Sequence, residues 1–293
     1  MGEKRKRRIG DRRDGRRLRS LDPLNAMVPF IMKVKSDASN YFTDSVEITE
    51  IEKYLRAKRQ QGYHGIGMLH IFIAAYIRVI AQYPGFNRFV SGQRIFARYD
   101  FEFVMTVKKD MKTTSPETSI KVTFDPRDTV FDVFAKLNKE IEKFKDEGDA
   151  TDTDAAAKAF MKLPRPILKF VVYVCTKLDY FGLLPRSLIK ASPFHGSVVI
   201  TDLGSIGMPA VYHHLYDFGN IPVFLALGAK RKAYEPGRDG TFKQRKYMDY
   251  KLTIDERICD GFYFSQVLRL FKSIVQQPEI LEGPVETVVE DID

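Results

Sequence analysis

Between a strand-like apolar run, 247–254, and an amphipathic helical pattern, 262–275, stand seven residues of mixed chemistry: Asp255, Glu256, Arg257, Ile258, Cys259, Asp260 and Gly261. Two of them could act directly on a substrate. An unperturbed glutamate titrates near ~4.3, about two units below histidine, so Glu256 would be ionised at neutral pH yet a weak base. Burial that lifted it toward ~6–7 would suit general-base work. The alternative is a structural ion pair, with Arg257 or with an arginine of the N-terminal segment. Cys259 could attack only as a thiolate, and no positioned histidine or cation activates it, so a small buried residue is the simpler reading. Among the five histidines, His195 precedes a β-branched run, and His213 and His214 are adjacent in Tyr212-His213-His214-Leu215-Tyr216. Neighbouring side chains diverge on a strand or helix, which makes the pair poor joint metal ligands, and no metal is expected. His214 and His195 stand as substitute proton carriers, against the ordinary reading of hydrogen-bonded packing residues.

The elements that must position these groups are legible in outline. Residues 28–35 and 41–48 read as short strands around a polar turn, 36–40. Thr49 and Glu52 have capping-box spacing and open a charged helix ending near Gln61, before Gly62. The run 68–82 is apolar on nearly every side, a buried helix closed by Pro84-Gly85. Strand candidates follow at 93–98, 101–108 and 119–124, the first two close enough for a hairpin. Asp128-Thr129 can cap a helix over 130–145 with Phe131, Phe134, Leu137, Ile141 and Phe144 on one face. A polar linker, 148–154, precedes one or two short helices over 158–190. There 167–178 reads as a core helix with Phe170, Val171, Val174 and Leu178 inward. An interfacial membrane helix is the minority reading, on the strength of Lys162, Arg165, Lys169 and Lys177. Strands resume at 197–201, 222–229 and 247–254, with 234–240 a loop.

Composition narrows the class. A chain of 293 residues with 22 Phe and 14 Tyr has ample material for one large core. Its two cysteines, Cys175 and Cys259, have no metal-like spacing and build no disulfide framework, which makes a cytoplasmic location the simplest expectation. No stretch approaches the roughly 20 apolar residues of a membrane span. Residues 1–19 hold ten Lys or Arg and three acidic residues, seven of the nine net positive charges. The division expected is therefore a basic N-terminal arm, 1–20, and a nearly neutral body, 21–293. Such an arm could meet nucleic acid, anionic membrane or a polyphosphate such as coenzyme A. The plainer expectation is a solvated, partly disordered tail.

Several segments, in order, carry a family resemblance covering roughly 28–281. Val198-Val199-Ile200-Thr201-Asp202-Leu203-Gly204-Ser205-Ile206-Gly207 resembles the Phe-Thr-Ile-Ser-Asn-Leu-Gly-x-x-Gly strand and turn of the chloramphenicol acetyltransferase and 2-oxo acid dehydrogenase (dihydrolipoamide) acyltransferase superfamily. The apolar strand 222–229 resembles the one that follows it. The 255–261 turn resembles the family's His-x-x-x-Asp-Gly, with Glu256 where the catalytic histidine stands. The resemblance implies an α/β fold, a two-layer mixed β-sheet with covering helices, assembled as a homotrimer with sites between subunits. It implies acyl transfer from acyl-CoA to a thiol, hydroxyl or amine, with Thr201 as hydroxyl donor to the oxyanion from the facing subunit. An ordinary β-branched strand residue is the alternative for Thr201. Asp260 would pair with an arginine to hold the turn, and Gly261 would allow close approach of strand and helix. Coenzyme A is then a substrate. The 293 residues contain no lipoyl domain or Pro/Ala-rich linker, as for a free-standing catalytic-domain relative. The glutamate leaves a second outcome open: a catalytically inactive homologue serving as a trimeric scaffold or ligand-binding module.

Overall fold

The computed structural model describes residues 7–108, 112, 114, 117–146, 158–236 and 240–293. The expected linker 148–154 lies outside them. Strands β1 (Gly15–Arg17), β4 (Arg94–Arg98) and β3 (Arg88–Ser91) form a small sheet in that order. The large sheet runs β2 (Ser39–Glu47), β9 (Phe242–Asp255), β8 (Val223–Pro236), β7 (Val198–Asp202), β5 (Phe101–Lys108) and β6 (Glu117–Phe124). β7 is parallel to both its neighbours and the remaining pairs are antiparallel, so the sheet is mixed. Helices α2 (Thr49–Gln60), α3 (Met68–Gln82), α4 (Val130–Asp146) and α7 (Gly261–Gln276) contribute to the core that one sheet face closes. This is the expected two-layer mixed architecture.

Period-two patterning sets the strands' faces. Val198 and Ile200 of β7, Val223, Leu225 and Leu227 of β8, and Leu252 and Ile254 of β9 are buried in the core with α3 and α7. α3 buries all but a narrow strip because it lies under the sheet with α4 and α7 alongside, which is why its sequence carries no polar face. Beyond β7, the turn Leu203–Ile206 lies against β8, and a Cβ on Gly204 would sit 2.5 Å from the Gly228 carbonyl. The Leu-Gly of that motif is thus a close-approach device. β8 shifts register between Leu227 and Lys230, and beyond the last β2 pair, Glu47 with Tyr247, β8 and β9 continue as a two-stranded ribbon to Pro236 and Phe242. Of the expected loop 234–240, residues 234–236 are the end of β8 and 237–239 lie outside the described residues.

Four expectations give way. Residues 23–31 are helix α1 (Pro23–Ile31), in place of the strand expected over 28–35: Asp22 caps Leu24 N and Pro23 occupies the first turn. Thr49 and Glu52 form no capping box, since Ile48 occupies the cap position and Glu52 instead binds Lys230 and Lys246. β4 and β5 are not a hairpin: β4 pairs with β1 and β3, and β5 with β6 and β7. Helix α5 (Arg165–Tyr180) forms where expected, but Asp179 is its one buried residue, so it is not a core helix. A short α6 (Arg186–Ala191) follows, after Pro185.

The solvated-tail reading also fails for residues 7–20. Leu18 is buried, and β1 pairs with β4. Arg8 and Arg16 meet the Asp293 carboxylate, and Arg19 meets Asp11. Arg12 is buried, donating to Asp14 at 2.8 Å and to Asp179 at 2.6 Å. These four arginines are therefore engaged by carboxylates of the folded chain.

Candidate functional site

The 255–261 turn starts where β9 runs out of sheet. Asp255, fully buried, binds the Arg257 guanidinium through both oxygens at 2.7 Å, and Arg257 Nη1 reaches Met32 O at 2.9 Å. This internal clamp bends the chain into the short helix Glu256–Ile258. It also takes Arg257 away from Glu256, so the alternative of an ion pair between those two does not form. Glu256 is half-buried; its N–H donates to Ala38 O at 2.9 Å and its Oε2 accepts from Asn40 Nδ2 at 2.7 Å. A neutral amide therefore orients the carboxylate and leaves the second oxygen for another donor.

Asp260 is exposed and caps α7 by accepting from Tyr263 N at 2.9 Å. Among the described residues no arginine pairs with it; the turn's arginine is engaged by Asp255. Gly261 has nothing within 4 Å of an added Cβ, so no close approach within this chain requires it. Cys259 packs against the core, and burial pushes its thiol well above the ordinary range, which removes it as a nucleophile.

Thr201 projects from the sheet face opposite the core, the same side as Val199, which packs with Leu215, Phe224 and Ala226. It stands opposite Ala226 on β8, itself opposite Lys251 on β9, and Glu256 lies five residues further on. With strands ~4.8 Å apart and ~3.3 Å per residue, Thr201 and Glu256 are about 19 Å apart in one chain. One protomer does not bring them together.

The irregular segment 208–222 crosses this outer face, pinned by Leu215. The His213 ring lies flat on Phe224 at 4.1 Å and on His214 at 4.6 Å, with Nδ1 2.8 Å from His214 O. Those contacts make His213 a packing residue. His214 is exposed and lines a narrow cavity of about 10 Å³ with Lys35, Val199, Tyr216 and Phe224. His195 has no exposed surface: Nδ1 lies 2.8 Å from Ser192 Oγ and Nε2 3.3 Å from Asp179. Burial holds its imidazole below the usual range, and the ring is out of reach of substrate in this chain.

Sequence reasoning missed Lys35. Its side chain is buried and donates from Nζ to Gly219 O at 2.7 Å. Burial pushes its amine down to about 8, against the partial support of Asp255. It also lines an open cleft of about 120 Å³, shared with Lys33, Gly92, Asp179, Asp217 and Arg257. Only tertiary structure turns this lysine inward, and its sequence setting gives no signal of it. Neither cavity includes Glu256 or Thr201. Among the described residues no group of three or more His, Cys, Asp or Glu is arranged to hold a metal.

No protein-family model matches the chain, and no curated sequence does. Solved structures do. A probable dihydrolipoamide acetyltransferase from Listeria monocytogenes superposes over 89% of this chain and 94% of its own, at 12% identity and TM-score 0.56. A dihydrolipoamide acetyltransferase from Azotobacter vinelandii, in which a serine, a histidine and an asparagine were investigated for their part in catalysis, covers 95% of each chain at 14% identity and TM-score 0.55. A chloramphenicol acetyltransferase covers 89% of this chain and 99% of its own, at 14% identity and TM-score 0.51. The fold is therefore that of the chloramphenicol acetyltransferase-like acyltransferases.

Proposed function

We propose that this protein, built on an acyltransferase fold, moves an acyl group from coenzyme A to a small thiol at sites completed between copies of a trimer. The observation that carries the reading is the pairing of Asn40 with Glu256, which holds one carboxylate oxygen and leaves the other for an incoming proton. In the Azotobacter enzyme the histidine and asparagine studied are four positions apart, the spacing of Glu256 and Asp260 here. Glu256 takes the acceptor's S–H proton as sulfur attacks the thioester carbonyl. The Thr201 hydroxyl of a facing copy donates to the oxyanion. The intermediate collapses to the new thioester, and the departing coenzyme A thiolate recovers the proton from Glu256. A 19 Å gap within one chain makes the facing copy a requirement of this mechanism. A thiol suits the base: with a pKa near ~8.5 it yields its proton to a carboxylate far more readily than an alcohol does.

The test is acyl-CoA consumption with a panel of thiol, hydroxyl and amine acceptors, read by mass of the product. Turnover with thiols that is abolished in Glu256→Gln and reduced ~10²–10³-fold in Thr201→Val is expected, the usual effect of losing one oxyanion donor. No turnover with any acceptor, or full turnover in Glu256→Gln, would overturn the reading. The glutamate standing where the resembled acyltransferases place a histidine supports a second reading, an inactive trimeric scaffold or ligand-binding module. An inactive parent that gains transfer in Glu256→His would establish it.

A further inference from the structure

We infer that the segment 158–190, with α5 at its centre, is a docking surface for an anionic phospholipid bilayer. This goes beyond the acyl-transfer reading and does not depend on it. α5 is fastened to the body at its C-terminal end: Asp179 holds Arg12, and the Tyr180 hydroxyl donates to Gln93 Oε1 at 2.7 Å. The rest of the helix covers little. Phe170 is 65% exposed, Tyr173 58% and Ile167 49%, and the flanking Met161, Phe181 and Leu183 exceed 60%. At 100° per residue, Ile167, Phe170 and Tyr173 share one side of the helix, with Lys177 among them and its ammonium 5.4 Å from the Tyr173 ring centroid.

Charge identifies the occupant. Segment 158–190 holds seven Lys or Arg and a single acidic residue, Asp179, which is buried. No carboxylate of the segment itself faces solvent. Lys162, Arg165, Lys169 and Lys177 are all exposed. An apolar side inserted at the acyl boundary with ammonium and guanidinium groups at headgroup level is the arrangement of an interfacial helix. Helix α1 offers the contrast. Leu24, Phe30 and Ile31 are equally exposed, but residues 23–34 contain one charge, Lys33, as suits a surface covered by another polypeptide. No helix among the described residues is long and apolar enough to cross a bilayer, so α5 would lie on one. Of the N-terminal cations, Arg8, Arg12, Arg16 and Arg19 are already engaged by the folded body.

The experiment is cosedimentation of the full chain with vesicles of 70:30 phosphatidylcholine and phosphatidylglycerol, and with phosphatidylcholine alone. Alongside it run light scattering and a gel shift on duplex DNA. Binding to the anionic vesicles alone, weakened in 0.5 M salt, is expected. Each cation at the surface is worth roughly a fivefold change in partitioning, so Lys162→Gln with Lys169→Gln should lower it about 30-fold. Phe170→Asp with Tyr173→Asp should abolish it without changing the particle mass. Absence of binding to anionic vesicles overturns the proposal, as does binding that neither double variant weakens. So does a fall in particle mass in the Phe170/Tyr173 variant, which would make the surface an interface between copies. A shift of DNA without vesicle binding would assign it to nucleic acid instead.

Discussion

Asp179 joins three parts of the chain, and replacing it with asparagine tests that junction at constant shape. Its carboxylate accepts from Arg12 Nη2 at 2.6 Å and lies 3.3 Å from His195 Nε2, with the side chain 10% exposed. Burial alone would raise its pKa; the imidazole of His195 and the guanidinium of Arg12 outweigh it and hold the carboxyl at about 2, against 3.8 for a free aspartate. Each unit corresponds to about 1.4 kcal/mol, so the ionised form contributes on the order of 2–3 kcal/mol at neutral pH. The folded value is the lower one, so the contribution is complete above pH ~4 and vanishes as pH falls through ~2. At pH 3 about half of it remains. Asp179→Asn should therefore unfold about 2–3 kcal/mol more easily than the parent in urea at pH 7, and the difference should halve by pH 3 because the parent loses the same charge by protonation. A variant as stable as the parent at pH 7, or a difference that does not shrink on acidification, would refute the electrostatic account.

Other perturbations have defined outcomes. Asn40→Ala should lower kcat of acyl transfer by about tenfold or more with little change in KM, because Glu256 loses the amide that orients it; steady-state kinetics against acyl-CoA decides this. Lys35 titrates lower in the folded chain, at about 8, than the 10.5 of a free lysine, so the unfolded state binds more protons between those values. Stability should rise across that window in the parent and stay flat in Lys35→Met, measured by urea melts at several pH values. Gly204→Ala should cost about 1–3 kcal/mol in thermal or chemical denaturation, since its Cβ would meet the Gly228 carbonyl. Removing residues 1–20 should destabilise the protein by more than ~3 kcal/mol, because Asp179 loses its buried arginine; an unchanged melting temperature would contradict this.

The parts legible in the sequence are those whose local pattern and tertiary role agree. α3 has no polar face because it is buried, α4 begins at its Thr129 cap, and β7 and β9 alternate as sheets do. The Leu203-Gly204 and Asp260-Gly261 motifs fall at the turns expected of them. The failures have physical causes. Val28 to Lys35 is apolar enough to read as strand, while the Asp22-Pro23 start signal that overrides it sits outside that window. Apolar spacing in α5 is genuine, but periodicity identifies an apolar side and not what it faces. Arginines 8, 12 and 16 look like part of a solvated charge run because the distant carboxylates they meet, Asp179 and Asp293, are 167 to 285 residues away. His195 looked available for the same reason: nothing local announces Asp179. For the candidate site, the turn and its glutamate could be found from the sequence, whereas Asn40 and Lys35 come to it only through folding.

The long ribbon of β8 and β9 has an outcome for how copies of the chain can meet. β7 ends at Asp202, opposite Leu227, and from Lys230 onward β8 pairs with β9 alone, so its other side offers unpaired backbone amides and carbonyls. An open ladder of this kind invites uncontrolled stacking of one molecule on the next. Lys230, Arg231 and Lys232 stand in succession where it begins, and the register shift turns the strand just before them. A register shift at the start of an open edge and charged side chains along it are devices that blunt such a ladder against edge-to-edge pairing.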